Sequence, residues 1–292
     1  MRRMEKEDYE DNIYNGVYIP KEFRNKVLKH MILNYSKNLN SFSPPLLLGI
    51  QGPKGEGKSF MIMKVCEYYA IRYIPISGAE MCGNLEGDSI KKLMYEYETA
   101  CINAATDRKF SCIVIEDFHK SIAASNQKKV SWTSNSDTLI GRIMNLADNP
   151  YMHGNRIPII VTSNDFTSIY SPLTRNGRME IFDWQPDEEE KVEIVYGIFK
   201  KFYPNINYDT IKQLVITYKS YDIAFFKTLV QEIFWGDCNS IIEEFHNRRK
   251  QFDLDSITDL VCNYIKVNSN LNSKYLLEFA EKRTRCTPKK YD

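Results

Sequence analysis

At 292 residues, 43% hydrophobic and 26% charged, the chain has the composition of a globular protein large enough for one sizeable α/β domain and a smaller partner. Its 39 basic and 38 acidic residues leave a formal charge of +1, so no global field selects nucleic acid or an anionic membrane, and either would need a local basic patch. The seven cysteines are odd in number and lack a C-x-x-C pair, the charged start Met1-Arg2-Arg3-Met4 has no apolar core, and no apolar run approaches ~18 residues; disulfides, cysteine-bound metal and a membrane span are disfavoured, and a reduced, cytoplasmic protein is expected.

Residues 1–12 are polar and expected to fray. From Val17 to Tyr35 the residues Phe23, Val27, Leu28, Met31, Ile32 and Tyr35 recur at three- and four-residue steps, which predicts an amphipathic helix begun at Pro20. A turn-rich stretch, Asn38 to Pro45, leads into the apolar run Leu46-Leu47-Leu48-Gly49-Ile50, a strand. Directly after it stands Gly52-Pro53-Lys54-Gly55-Glu56-Gly57-Lys58-Ser59, followed by Phe60-Met61-Ile62-Met63 in a helix near 58–70. Strand, glycine loop, helix is the order a phosphate-binding loop requires. The glycines let successive backbone N–H groups point inward, and the helix adds the positive end of its dipole. Gly52 through Phe60 are therefore the expected nucleotide-binding residues, with Lys58 reaching the β- and γ-phosphates and Ser59 ligating Mg2+.

A short strand at Tyr73-Ile74-Pro75-Ile76 and a long helix near 89–106 come next, then the buried strand Cys112-Ile113-Val114-Ile115, which ends in Glu116-Asp117. Hydrolysis of a γ-phosphate needs a metal-positioning acid and a group that orients water, and this pair follows Lys58 by about sixty residues. By position Glu116 holds the Mg2+ shell and Asp117 orients water; the order is the reverse of the usual Asp-Glu, which leaves the two roles open. A polar stretch from His119 to Ser136, a helix to Ala147 and the strand Ile157–Thr162 follow. Asn164, just past that strand, is placed to contact the γ-phosphate and the lytic water. The turn Pro172-Leu173-Thr174-Arg175-Asn176-Gly177-Arg178 carries two arginines, whose planar forks suit phosphate, ahead of the strand Met179–Phe182. Strands that are nearly continuous apolar runs, alternating with helices, predict a parallel sheet covered on both faces. After Trp184-Gln185-Pro186 the pattern is helical only, near 187–202, 208–218, 221–235, 238–249, 255–267 and 271–283. The expected division is an N-terminal segment 1–43, an α/β nucleotide-binding subdomain 44–185 and a helical subdomain 186–292.

This order of parts resembles that of AAA+ ATPases, and five separated stretches resemble Rubisco activase: Tyr14–Ile19, Leu47–Ile50, Asn145–Pro150, Pro158–Phe166 and Asn176–Glu180. The likeness runs over roughly residues 13–235. It implies a P-loop AAA+ module with a five-stranded parallel sheet flanked by helices and a C-terminal α-helical subdomain. It further implies ATP and Mg2+ as cofactors and a homo-oligomeric ring, usually a hexamer, that spends ATP to remodel a protein through its central pore. Arg175 and Arg178 would be arginine fingers reaching a neighbouring subunit, and Glu116, Asp117 and Asn164 would complete the catalytic set. Ser77 to Ser89, with Met81 and Leu85, would form one pore loop and His119 to Ser136 the other, where Trp132 is either the family's aromatic or a core anchor.

Three departures stand out. The phosphate loop begins after only 51 residues, so the N-terminal domain that plant activases carry is expected to be absent. Phe225–Glu232 has Val230 and Glu232 where the family presents arginines to the nucleotide, so a second sensor is expected to be missing or replaced by Lys227. Glu116 stands where the family has Asn, which alters the expected handling of Mg2+. The resemblance does not name the partner: Rubisco and another protein assembly both stand. Two other readings are a nucleic-acid-associated factor of the helicase-loader type and an ATP-controlled scaffold with slow turnover. For the first, the basic candidates are only Arg248-Arg249-Lys250, Lys282-Arg283 and Lys289-Lys290, and the near-zero net charge argues against it. The inverted acidic pair keeps the second open.

Overall fold

The apolar runs of the first two thirds of the chain pair into one parallel sheet. In a computed structural model, which describes residues 13–14, 16–36, 44–78, 88–107, 109–118, 134–152, 154–167, 172–236, 239–248, 254–267 and 271–286, its strands are β3 (Leu47–Gln51), β4 (Arg72–Ser77), β5 (Ser111–Glu116), β6 (Ile159–Ser163) and β7 (Met179–Asp183). Met81, Leu85 and Trp132, the residues singled out in the two expected pore loops, lie outside the described residues. The strand order is β4-β5-β6-β3-β7 with every pairing parallel, so β3 sits between β6 and β7, and β6 separates it from β5. All of β6 is buried, as are the first five residues of β5 and the first four of β3. Strands covered on both faces need this composition.

Helices α1 (Lys21–Tyr35), α2 (Lys58–Tyr68), α3 (Asp88–Thr106) and α4 (Ser134–Asp148) supply the cover. Alternation along the strands puts Ile74, Ile76, Ile113, Ile115, Ile159 and Val161 in one apolar cluster with Leu93 and Tyr97 of α3 and Leu139, Ile143 and Leu146 of α4. Helix α2 packs on β4 and β5 and against α1. The lower end of the sheet is tied by polar groups. The Tyr35 hydroxyl donates to the Ser111 carbonyl at 2.6 Å and accepts from the Ser111 amide at 2.7 Å. Arg156 donates through Nε to Asn34 Oδ1 at 2.5 Å, and Asn34 Nδ2 donates to the carbonyls of His30 at 2.9 Å and Pro45 at 3.2 Å.

The second compact unit joins the hairpin β1 (Ile13–Tyr14) and β2 (Val17–Tyr18) to the residues from Pro186 onward, while Ile19–Gln185 form the first. The stretch 1–43, expected to stand by itself, thus contributes its helix to the α/β unit and its hairpin to the helical one. Among the described residues six helices follow: α5 (Glu188–Phe202), α6 (Tyr208–Thr217), α7 (Ile223–Trp235), α8 (Asn239–Arg248), α9 (Leu254–Val267) and α10 (Ser273–Cys286). A capping box opens α5, with the Asp187 carboxylate accepting from the Glu190 amide at 2.8 Å and Glu190 returning the bond to the Asp187 amide at 3.1 Å. Phe199, Phe226, Leu229 and Val230 are fully buried in this unit's core. Among the described residues no helix is long and apolar enough to cross a membrane.

Candidate nucleotide site

Register sets the site. Gln51 at the end of β3 lies opposite Ser163 of β6 and Asp183 of β7, so Gly52, Asn164 and Trp184 emerge at one level at the carboxyl end of the sheet. Gly52 adopts φ +151° with the Trp184 carbonyl packed against it; a Cβ there would sit 1.9 Å from that oxygen, so only glycine fits. The Trp184 amide donates to the Gln51 carbonyl at 2.7 Å, and its indole Nε1 donates to the Glu56 carbonyl at 2.9 Å. One side chain thus props the loop from beneath, and Phe23 of α1 braces it edge-on at 4.9 Å. The Gln51 side chain locks the neighbouring strands together: its Oε1 accepts from the Phe166 amide at 2.9 Å and its Nε2 donates to Asp183.

Gly57, at φ +77°, is the N-cap of α2 and turns the first amides of that helix toward the loop. Lys58 is buried, and its ammonium donates to the carbonyls of Gly52 at 2.7 Å and Pro53 at 2.9 Å. Burial lowers its pKa from the ordinary lysine value, while the charges of Asp117 and Glu56 act in the opposite direction. Phosphate oxygens would replace those carbonyls with a stronger, charge-assisted partner.

The two carboxylates are held differently. Glu116 ends β5 and accepts from the Tyr73 hydroxyl at 2.5 Å, on the same face of the adjacent β4. Burial, then the hydrogen bond to Glu116, push the Tyr73 phenol far above its usual range, so it is a permanent donor. Asp117 is turned out of the strand by a left-handed backbone, φ +51°, a conformation that costs about 1 kcal/mol. Thr162 of β6 supports that turn: its Oγ1 accepts from the Asp117 amide at 3.2 Å and its carbonyl from the Phe118 amide at 2.9 Å. Of the pair, Asp117 is the one whose charge acts on Lys58. Asn164 is exposed, and next to it Ser163 Oγ and the Asp165 backbone close a small turn at 2.8 and 3.2 Å.

The arginine turn lies elsewhere. Strand β7 runs parallel to β3, and the Leu47 amide donates to the Arg178 carbonyl at 3.1 Å, so Arg175 and Arg178 flank the beginning of β3 while the phosphate loop leaves its end. Five residues of strand, about 16 Å, separate them. The two arginines also differ from each other. Arg175 is exposed. Arg178 is half-buried and makes a two-pronged pair with Asp148, Nε to Oδ1 and Nη2 to Oδ2 both at 2.7 Å, with Nη1 donating to the Pro172 carbonyl at 2.7 Å. That arginine holds the Asp148 carboxyl below the usual carboxylate range.

In the helical unit Val230 is buried, and Glu232 pairs with Arg283 of α10 at 2.5 Å. Gln51, Tyr73, Asp148 and Trp184 were not singled out from sequence. Gln51 and Trp184 at least abut the loop and the strand whose ends they join; Tyr73 and Asp148 carry no local signal.

Residues 48–186 match the family model described as "ATPase family associated with various cellular activities (AAA)". The chain is 34% identical over 244 residues to "Ribulose bisphosphate carboxylase/oxygenase activase, chloroplastic" of Zea mays, covering 80% of this chain and 55% of that protein. It is 34% identical over 227 residues to the "Ribulose bisphosphate carboxylase/oxygenase activase" of Nostoc sp. (strain PCC 7120 / SAG 25.82 / UTEX 2576), covering 74% and 54% respectively. The Nicotiana tabacum activase 2 is 33% identical over 236 residues, 77% of this chain and 52% of its own. The chain spans about half the length of the relatives it matches.

Proposed function

With residues 48–186 an AAA domain and the chain a homologue of Rubisco activases, we infer that the protein is an ATPase that assembles head-to-tail into a ring, a hexamer by analogy, and uses ATP hydrolysis at its subunit boundaries to remodel a protein assembly. The reading rests above all on one distance. The turn bearing Arg175 and Arg178 flanks the opposite end of β3 from the phosphate loop, too far to serve the nucleotide of its own subunit, which supports a role at a neighbour's.

In this reading the loop amides from Lys54 to Gly57 and the first turn of α2 take the β- and γ-phosphates, and Lys58 exchanges its two loop carbonyls for phosphate oxygens. The Ser59 hydroxyl and the Glu116 carboxylate would supply the oxygen donors that Mg2+, a hard cation, takes. Bound there, Mg2+ would neutralise charge on the β- and γ-oxygens. Asp117, projected by its left-handed backbone, orients the attacking water and accepts its proton, and Asn164 reports whether a γ-phosphate is present. An arginine from the next subunit neutralises charge that develops on the transferring group, a contribution worth about 10³–10⁵ in rate in other phosphate hydrolases. The names of the relatives make Rubisco the first partner to test; a different protein assembly fits the same machinery.

Phosphate release measured over a range of protein concentrations tests the reading. Turnover per subunit should rise with concentration, vanish in Lys58→Ala and in Arg175→Ala, and return when those two inactive variants are mixed, because each supplies what the other lacks. Turnover independent of concentration, or no recovery on mixing, overturns the ring. No turnover by the wild type favours the slow scaffold.

A further inference from the structure

Asp148 is the last residue of α4, where a carboxylate faces the negative end of the helix dipole. An acid at that position is disfavoured by its own helix and needs a cation. The cation is Arg178, thirty residues on, in the two-pronged geometry that guanidinium and carboxylate share. A third bond from the same guanidinium to the Pro172 carbonyl closes the turn at its start, and the Arg178 amide donates to the Arg175 carbonyl at 3.0 Å to close it at its end. Gly177, at φ +95°, makes the reversal. All five donors of the Arg178 fork lie on its Nε, Nη1 and Nη2, and each of these atoms has a bond within the subunit.

We propose that Asp148 is a positioning residue for ATP hydrolysis: it fixes Arg178 within its own subunit as the frame of the 172–178 turn, and thereby leaves Arg175 as the arginine that reaches the neighbouring site. This deepens the ring reading above and rests on it. The two arginines, alike in sequence, then do different work. Arg175 touches the reacting group across the boundary, and Arg178 with Asp148 decides where Arg175 stands. Moving a catalytic group by ~1 Å costs about 10²-fold in rate, so loss of the frame acts on kcat while ATP, bound at the far end of the sheet, keeps its affinity.

The test is a double-mutant cycle with a charge exchange. Asp148→Ala and Arg178→Ala should each lower kcat by about 10²-fold. Neither should change the KM for ATP, or the affinity of the isolated protein for a fluorescent ADP, by more than about twofold. The double variant should be no slower than the slower single one, because the pair acts as a unit. Asp148→Arg combined with Arg178→Asp should regain at least about tenfold over either single exchange. Thermal midpoints separate this from unfolding, and Asp148→Asn serves if the alanine variant does not fold. Were Arg178 itself the arginine that reaches across, freeing it by Asp148→Ala would leave kcat unchanged or raise it, and the charge exchange would stay as inactive as Arg178→Ala; either result overturns the proposal. Failure of the ring reading looks different: Arg175→Ala would then retain turnover, or stay inactive when mixed with Lys58→Ala.

Discussion

The lower end of the sheet should make this protein acid-sensitive through one residue, His30. Its ring is buried on α1, and Asn34 Nδ2 lies 3.3 Å from its Nδ1. The amide cannot turn to offer an oxygen instead, since Asn34 Oδ1 is already taken by Arg156. Burial, with smaller contributions from the charges of Arg156 and Lys26, pulls the His30 pKa from 6.5 down to about 4, against an opposing pull from the Ile159 backbone and Glu180. The native state therefore keeps this ring neutral where the unfolded chain takes up a proton. The stability is fully present above pH 6.5 and is lost as the pH falls from 6.5 toward about 4. Between pH 7 and pH 5 the loss works out at about 2 kcal/mol. Urea unfolding of the wild type and of His30→Gln at both pH values isolates it. The wild type should lose about 2 kcal/mol more than the variant over that interval. Equal losses in the two proteins, or a His30 ring resonance that titrates near 6.5 in the native state, would refute the reasoning.

Other consequences are as specific. Tyr73→Phe deletes only the hydroxyl that holds Glu116, and the Mg2+ concentration giving half-maximal binding of Mg-ADP should rise about fivefold with little change in thermal midpoint. Gly52→Ala drives a methyl group into the Trp184 carbonyl and should cost about 3 kcal/mol of stability while abolishing nucleotide binding, measured by calorimetry. Trp184→Phe keeps an aromatic ring against the edge-on contact with Phe23 but loses the bond to the Glu56 carbonyl; ADP affinity should fall about fivefold.

Much of this fold was readable because its signals are local. The run Leu46–Ile50 before a glycine loop, Cys112–Ile115 before an acidic pair and the helical periodicity after Pro186 each identify an element from its own residues. The strands observed at 47–51, 111–116 and 159–163 and the helices from 188 onward follow that reading closely. What depended on pairing was not readable. Nothing within 17–18 or 13–14 marks strands of two residues each, and their hairpin joins a helical unit that begins more than 160 residues later. Arg175 and Arg178 look equivalent along the chain; they separate only because α4 ends beside one of them. Glu116 read as an acid in an unexpected place, and its Tyr73 partner comes from a neighbouring strand.

Strand β3 is short, with the phosphate loop leaving one end and the arginine turn beside the other. A subunit built this way has a front and a back. Two copies related by a twofold axis would bury like against like and leave both sites incomplete, whereas copies stacked in one sense complete every boundary but the last. In the proposed ring, closure would remove that last vacancy, each subunit's chemistry would depend on the neighbour behind it, and the circuit of sites would have a direction of travel.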